Sequence, residues 1–126
     1  MSSILVADDD EHVLDVIAEM LRMAGHDVTT ALNGIEVEQR FRDEEIDLVI
    51  TDIVMPEQEG LETINNIRQS AEHLPIIAIS GGGRVGPGSY LDLARRFGAN
   101  AALHKPFELD DLVSTVTDLL GTAGVQ

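Results

Sequence analysis

The chain has 126 residues, of which 44% are hydrophobic, and this is enough for one domain with a packed core. It contains no cysteine, which excludes a disulfide scaffold and a thiolate metal site, and we expect a cytoplasmic protein. The net charge of −15 disfavours direct binding to nucleic acid or to anionic membranes, because both depend on basic side chains. No apolar stretch approaches the roughly 20 residues that span a bilayer, so we expect no membrane insertion.

Apolar runs alternate with helical patterns along the first half of the chain. The run at 4–7 ends in three acids and predicts a buried strand. Apolar residues spaced three and four apart then predict a helix over 11–24, which Gly25 ends. Asn33 and Gly34 indicate a turn and a helix start. A second strand is predicted over 27–31, before this turn. A polar helix over 34–44 and an apolar strand over 47–51 follow the turn.

The second half of the chain repeats this alternation. A loop that contains Pro56 and Gly60 leads into a helix over 61–72, and Pro75 introduces the next strand. Three glycines at 81–83 end that strand at once, because glycine leaves the backbone free to turn. In chain order, the strand, helix, strand and helix that follow Pro75 are predicted over 76–80, 89–97, 99–103 and 109–120.

Strands that alternate with helices in this way predict an α/β fold, a doubly wound five-stranded parallel sheet with helices on both faces. The flavodoxin-like strand order 2-1-3-4-5 makes the first, third, fourth and fifth strands neighbours. Ligands of such sheets bind outside the carboxyl ends of the strands. We expect a single domain over 1–126, with its core at about 3–120 and a flexible tail at 121–126.

Polar side chains follow the four strands that are predicted to be neighbours. The first strand runs into Asp8 and Asp9, and the third into Asp52. The fourth strand ends at Ser80, and the fifth runs towards Lys105. Because the carboxyl ends of parallel strands meet at one edge of a sheet, we expect these side chains to share one pocket.

The carboxylates of this pocket would repel one another unless one kept a proton or the group bound a cation. Two unit charges about 4 Å apart repel by roughly 4 kcal/mol at an effective dielectric near 20. Carboxylate oxygens and water suit a hard ion such as Mg²⁺, which often shares a phosphate. The Lys105 ammonium and the Ser80 hydroxyl could bind phosphoryl oxygens. The set therefore indicates phosphoryl transfer to Asp52, a reaction that depends on positioning and charge neutralisation.

Four motifs, ILVADDD, DLVITDIVMPEQEG, PIIAIS and HKPF, together resemble the receiver domain of bacterial two-component response regulators, of the single-domain, chemotaxis-regulator type. The resemblance covers about 4–120. It implies that Asp52 is the phosphorylation site, that Ser80 is the switch hydroxyl and that Lys105 bridges to the phosphoryl group. It implies a Mg²⁺ site in which Asp9, Asp52 and the backbone carbonyl of Val54 bind the ion directly and Asp8 contributes through water.

The same resemblance implies partners and an output. The phosphodonor would be a phosphohistidine on a sensor histidine kinase or on a histidine phosphotransfer protein. The output would be contact with a downstream protein, because about six residues follow Leu120 and these are too few for a DNA-binding module. The protein would catalyse only its own phosphorylation and slow dephosphorylation, and so would not be an enzyme acting on other substrates.

The sequence departs from the family pattern at Ala102, in the glycine-rich loop after Ser80, and at Val54 and Gly82. The family often has an aromatic residue three positions before the lysine, where it moves with the switch hydroxyl, and here that residue is Ala102. This leaves open how the state of Ser80 is transmitted, with His104 and Tyr90 as candidate substitutes.

Two other functions were weighed against this interpretation. A degenerate receiver that serves as a docking module would be expected to lack Asp52, Lys105 or the acidic pair, and all are present. A Mg²⁺-dependent phosphohydrolase of the haloacid dehalogenase type also uses an aspartate at a strand end. That family expects a second aspartate two residues later, where this chain has Val54.

By the same resemblance, Val54 and Gly82 flank the water that would attack the phosphoryl group, and neither side chain can hold it. We therefore predict slow self-dephosphorylation. Val54→Asn should shorten the half-life of the phosphorylated protein, because an amide can hydrogen-bond that water. The half-life is measured as loss of the phosphoryl group after the donor is removed, and an unchanged half-life would contradict this explanation.

Overall fold

The computed structural model describes residues 2–53, 60–80, 94–96, 98–104 and 107–123. Of the helix predicted over 89–97, the described residues 94–96 are helical. None of the described helices combines the length and the apolar character that crossing a lipid bilayer requires. The elements in chain order are β1 (Ser3–Ala7), α1 (Glu11–Met23), β2 (Asp27–Ala31), α2 (Gly34–Asp43), β3 (Leu48–Asp52), α3 (Gly60–Ser70), β4 (Ile76–Ser80), β5 (Ala101–His104) and α4 (Leu109–Ala123).

The five strands form one parallel sheet in the order β2-β1-β3-β4-β5, which confirms the predicted fold. In register, Ala7 of β1 pairs with Thr51 of β3, and Ser80 of β4 pairs with His104 of β5. The carboxyl ends of β1, β3, β4 and β5 therefore lie together along one edge of the sheet.

Two hydrophobic clusters fill the two faces of the sheet. One lies under α2 and α3 and includes Val37 and Ile64, and the other lies under α1 and α4 and includes Leu14 and Leu112. Successive strand residues point to opposite faces, so each central strand contributes to both clusters. This explains why β3 and β4 are buried at every position and read as continuous apolar runs.

Local signals in the sequence set the ends of the first two helices. The Asp10 carboxylate accepts a hydrogen bond from the His12 N–H at 2.9 Å and so caps α1. Gly25 follows α1 with a φ of 97°, a left-handed conformation that glycine adopts without a steric penalty. The Asn33 side chain caps α2 by accepting from the Glu36 N–H at 2.9 Å.

Three strands have bounds that differ from the sequence predictions: β1 begins one residue earlier, at Ser3, and β3 and β5 are displaced towards the carboxyl end of the chain. β3 includes Asp52, because that residue still pairs with Ile79 in the ladder to β4. β5 begins at Ala101 instead of Ala99, because Gly98 turns the chain with a φ of 122°. The Ala99 N–H still donates backwards, to a helical carbonyl at 3.0 Å, and so it is not available to the sheet.

The last helix is longer than predicted. α4 continues to Ala123, so Gly121 lies inside the helix, which extends three residues beyond the predicted end at 120. A glycine lowers helix stability by about 1 kcal/mol but does not end a helix by itself. The remaining predicted tail, 124–126, lies outside the described residues.

Arg68 of α3 joins three elements at the amino-terminal edge of the sheet. Its Nε and Nη2 donate to the Gly98 carbonyl at 3.0 and 2.8 Å, and Nη2 also donates to Oδ1 of Asn100 at 2.7 Å. Its Nη1 donates to two carbonyls just beyond α3, at 3.1 and 3.2 Å. The same Asn100 oxygen accepts from the Ile76 N–H at 2.8 Å. Burial lowers the pKa of the Arg68 guanidinium, which still stays charged at neutral pH.

Arg68→Lys should lower the free energy of unfolding by about 1–3 kcal/mol, because an ammonium cannot reproduce the planar fork of donors. Urea denaturation measures the change. The matched control is Arg22→Lys. In the wild type, the Arg22 guanidinium donates one hydrogen bond of 3.2 Å to the Val28 carbonyl, at an exposed site. The control should change stability by less than about 0.5 kcal/mol. Equal losses in the two variants would contradict a special role for the Arg68 network.

Candidate functional site

Three carboxylates meet at the carboxyl edge of the sheet. Asp8 directly follows β1, and Asp52 is the last residue of β3. Because β1 and β3 are paired in parallel, the two residues are neighbours. One carboxylate oxygen from each of Asp8, Asp9 and Asp52 lies within 4.8 Å of the other two. The structure therefore brings together the three acids that the sequence placed in one pocket.

The three acids differ in their exposure to solvent. Asp8 is completely buried and Asp52 is 6% exposed, whereas Asp9 is exposed. The backbone holds Asp8 from two sides, since its N–H donates to the Ala31 carbonyl at 3.1 Å and its Oδ1 accepts from the Asp10 N–H at 2.9 Å. The Asp8 carboxylate is thus held in one orientation, and the exposed Asp9 leaves one side of the cluster open to solvent.

This group of oxygens can bind a metal ion of the hard class. Carboxylates at about 4.8 Å repel by roughly 3–4 kcal/mol per pair at an effective dielectric of 20, and a divalent cation offsets that repulsion. The donors are all oxygens, which Mg²⁺ and Ca²⁺ prefer and which soft ions do not. Mg²⁺ commonly uses few protein carboxylates and completes its shell with water and phosphate, and a partly open cluster fits that habit.

Ser80 stands at the same edge, at the end of β4, and is 1% exposed. It directly follows Ile79, which is the register partner of Asp52. The Ile53 N–H donates to the Ile79 carbonyl at 3.1 Å, so the ladder between β3 and β4 extends to the very edge. Ser80 therefore lies one residue beyond the position on β4 that is directly opposite Asp52.

Several predicted positions lie outside the described residues. Among them are Val54, predicted as a metal ligand, and Lys105, predicted to contact the phosphoryl group. Gly82 and Tyr90 are outside as well. Ala102 is described, and it lies in β5 opposite Ala78 of β4. The roles of Val54 and Lys105 stay predictions.

The sequence analysis did not single out Thr51, which precedes Asp52 in β3. Its side chain is fully buried, and its hydroxyl donates to the Asp52 carbonyl at 3.0 Å. The backbone carbonyl of Asp52, the candidate nucleophile, thus accepts a hydrogen bond from the side chain that precedes it. The signal in the sequence was a hydroxyl residue inside the otherwise apolar run LVIT, next to the acid.

The chain matches the family model of the response regulator receiver domain over residues 4–117. It therefore belongs to the response regulator receiver domain family, as the resemblance of its motifs predicted.

Curated relatives of different lengths share this domain. The chain is 34% identical over 120 residues to the response regulator receiver protein CpdR of Brucella abortus, across 95% of this chain and 98% of that protein. It is 37% identical over 121 residues to the DNA-binding transcriptional regulator NtrC of Azospirillum brasilense, across 96% of this chain. It spans 24% of that NtrC, and 51% of a CpxR homolog from Haemophilus influenzae to which it is 32% identical.

Solved structures share the fold. A CheY-like response regulator receiver domain protein from Methanospirillum hungatei superposes with a TM-score of 0.89 over 97% of this chain and 95% of that one, at 24% identity. The response regulator TrrA of Thermotoga maritima, solved in complex with Mg(2+)-BeF, has a TM-score of 0.84 and 33% identity. That superposition covers 94% of this chain and 99% of TrrA.

Asp8→Asn should raise the free energy of unfolding without divalent cations by about 1–3 kcal/mol, because it removes one of the clustered charges. The amide oxygen can still accept from the Asp10 N–H, so the local backbone is kept. The same variant should gain less stability from excess Mg²⁺ than the wild type, since one ligand is weakened. Thermal unfolding with EDTA and with Mg²⁺ measures both effects.

The matched control is Asp15→Asn, at an exposed position of α1, which changes the net charge by the same amount. It should leave the response to Mg²⁺ unchanged. The cation-site interpretation fails if Mg²⁺ stabilises Asp8→Asn as much as it stabilises the wild type.

Proposed function

We propose that this protein is a phosphoacceptor switch of a two-component phosphorelay, in which Asp52 accepts the phosphoryl group. The observation that carries the proposal is the position of the Asp52 carboxylate, nearly buried at a strand end with oxygens of Asp8 and Asp9 within 4.8 Å. Membership of the receiver family supports it. Repulsion among these carboxylates opposes folding, and a bound cation would offset it, which supports a role for the cluster in binding.

In the proposed reaction, an Asp52 oxygen forms a bond to phosphorus while the bond from phosphorus to the donor's imidazole nitrogen breaks. The imidazole leaves with the bonding electrons, and Asp52 becomes a mixed anhydride of the phosphoryl group. The cation that we propose is Mg²⁺, held by Asp8, Asp9 and Asp52 with the carbonyl of Val54. When bound, it supplies positive charge against the carboxylates and the phosphoryl oxygens.

The chain's own groups position the reaction. The hydrogen bond from the Asp10 N–H fixes Asp8, and the pairing of β3 with β4 fixes Asp52. We assign to the Ser80 hydroxyl a hydrogen bond to a phosphoryl oxygen, and to the Lys105 ammonium an ion pair with the same group. Both would form only once the phosphoryl group is present, so they would favour the modified state.

The partners follow from the family. We propose a sensor histidine kinase or a histidine phosphotransfer protein as the donor, and a downstream protein as the target. The relatives include a protein called a response regulator receiver protein and another called a DNA-binding transcriptional regulator. The charge of −15 gives no support to direct DNA contact by this chain. We place the protein in the cytoplasm and propose no catalysis beyond its own phosphorylation and dephosphorylation.

Incubation with Mg²⁺ and acetyl phosphate, a small phosphodonor, should add the mass of one phosphoryl group to the intact protein. The Asp52→Ala variant should show no adduct, because the nucleophile is gone, whereas Asp15→Ala should be modified like the wild type. Intact-mass spectrometry measures all three proteins. The proposal is overturned if neither acetyl phosphate nor a phosphohistidine donor modifies the wild type, or if Asp52→Ala is modified equally.

A further inference from the structure

His104, the last residue of β5, carries a buried polar atom without a partner. Its Nε2 is buried and has no hydrogen-bond partner among the residues that the structure describes. Buried ring nitrogens are nearly always hydrogen-bonded, since the loss of water is otherwise uncompensated. An exception beside a functional site therefore points to a partner that this nitrogen meets in another state of the protein.

The sheet register places His104 beside Ser80. The two residues are paired across β4 and β5, and adjacent strands lie about 4.8 Å apart. Residues paired in this way present their side chains on the same face of the sheet. Two residues earlier, Ala78 of β4 belongs to the cluster under α2 and α3, and so that is the face which Ser80 and His104 share.

Asp52 lies on β3, which pairs with β4 on the side away from β5. Asp52 pairs with Ile79, which packs in the cluster under α1 and α4. Because β4 lies between β3 and β5, Ser80 has the strand of Asp52 on one side and His104 on the other. The Asp52 side chain starts on the face of Ile79, so a phosphoryl group on Asp52 would meet the Ser80 hydroxyl by extending past the carboxyl edge of the sheet. A hydroxyl has one donor hydrogen and two acceptor lone pairs, so it can serve both sides at once.

We propose that His104 is a positioning residue for the Ser80 hydroxyl in the phosphorylated state. The His104 imidazole donates from Nε2–H to Ser80 Oγ, and Oγ donates its own hydrogen to a phosphoryl oxygen on Asp52. This rests on the proposed function, because the second bond needs a phosphoryl group on Asp52. Ala102, two residues earlier on the same face of β5, has a methyl side chain and so offers the Ser80 hydroxyl no hydrogen-bonding group that would compete with His104.

Such a chain of hydrogen bonds would connect the modification at Asp52 to β5. The phosphoryl oxygen is a strong acceptor that polarises the Ser80 O–H, which in turn makes Oγ a better acceptor for His104. The orphan nitrogen of the present structure is then satisfied only in the modified state. His104 would accordingly favour that state without touching the phosphoryl group.

The first test is imidazole ¹⁵N NMR of the wild type with and without Mg²⁺ and beryllofluoride, a phosphoryl mimic. The chain has four histidines, so the signals can be assigned one by one. The Nε2 resonance of His104 should shift to that of a hydrogen-bonded donor, and the shift should vanish in Ser80→Ala. His26 is an internal control, because its Nδ1 is also buried without a partner among the described residues and it precedes β2 at the opposite edge.

The second test is the affinity for beryllofluoride measured by calorimetry. His104→Leu should weaken binding about fivefold, the fold-change expected for one hydrogen bond, and His104→Gln should restore much of it by keeping a donor. In a Ser80→Ala background, His104→Leu should have no further effect, because the two residues act through one chain of bonds.

The outcomes separate this inference from the proposed function. If the wild type binds beryllofluoride in a way that Asp52→Ala abolishes, but the His104 resonance and the His104→Leu affinity do not change, only the role of His104 is overturned. If His104→Gln weakens binding as much as His104→Leu, the effect is one of packing and the role is overturned too. If the wild type does not bind beryllofluoride at all, the proposed function fails and this inference with it.

Discussion

The mutual repulsion of Asp8, Asp9 and Asp52 is the interaction on which the rest of the site depends. Their oxygens lie within 4.8 Å of one another, and two of the three side chains are almost completely buried. The strands behind them resist this repulsion, because β1 and β3 are anchored by apolar residues on both faces and each buried side chain contributes about 1.5–3 kcal/mol. A bound cation would relieve the repulsion, and the site could then accept the further negative charge of a phosphoryl group.

The amino-terminal edge of the sheet carries a hydrogen-bond network that stabilises the fold, and the carboxyl edge carries the candidate site. At the amino-terminal edge, Arg68 and Asn100 form a network whose donors and acceptors are paired with the ends of α3, β4 and β5. At the carboxyl edge, like charges are crowded and the Nε2 of His104 has no partner within the described ranges. Groups that are unsatisfied in one state can be satisfied in another, so the carboxyl edge can respond to a change of state at the candidate site.

Much of the fold could be predicted from the sequence because its central strands are continuous apolar runs that end in polar residues. That pattern alone brought Asp8, Asp52 and Ser80 to one edge, and the register of β3 with β1 and β4 confirms it. The apolar spacing and the turn at Asn33 and Gly34 also predicted the starts of α1 at Glu11 and of α2 at Gly34. The donors and acceptors that meet only through the tertiary register could not be predicted. Examples are the contacts of Arg68 with Gly98 and Asn100, which are 30 and 32 residues away.

The central claim is that Asp52 takes a phosphoryl group with the help of a cation held by its neighbours. The most direct measurement is to treat the protein with acetyl phosphate, reduce the acyl phosphate with borohydride, and locate the converted residue by tandem mass spectrometry. The account predicts conversion at position 52, in the presence of Mg²⁺ and much less in EDTA. Conversion at another aspartate, or equal conversion at Asp52 without a divalent cation, would contradict it.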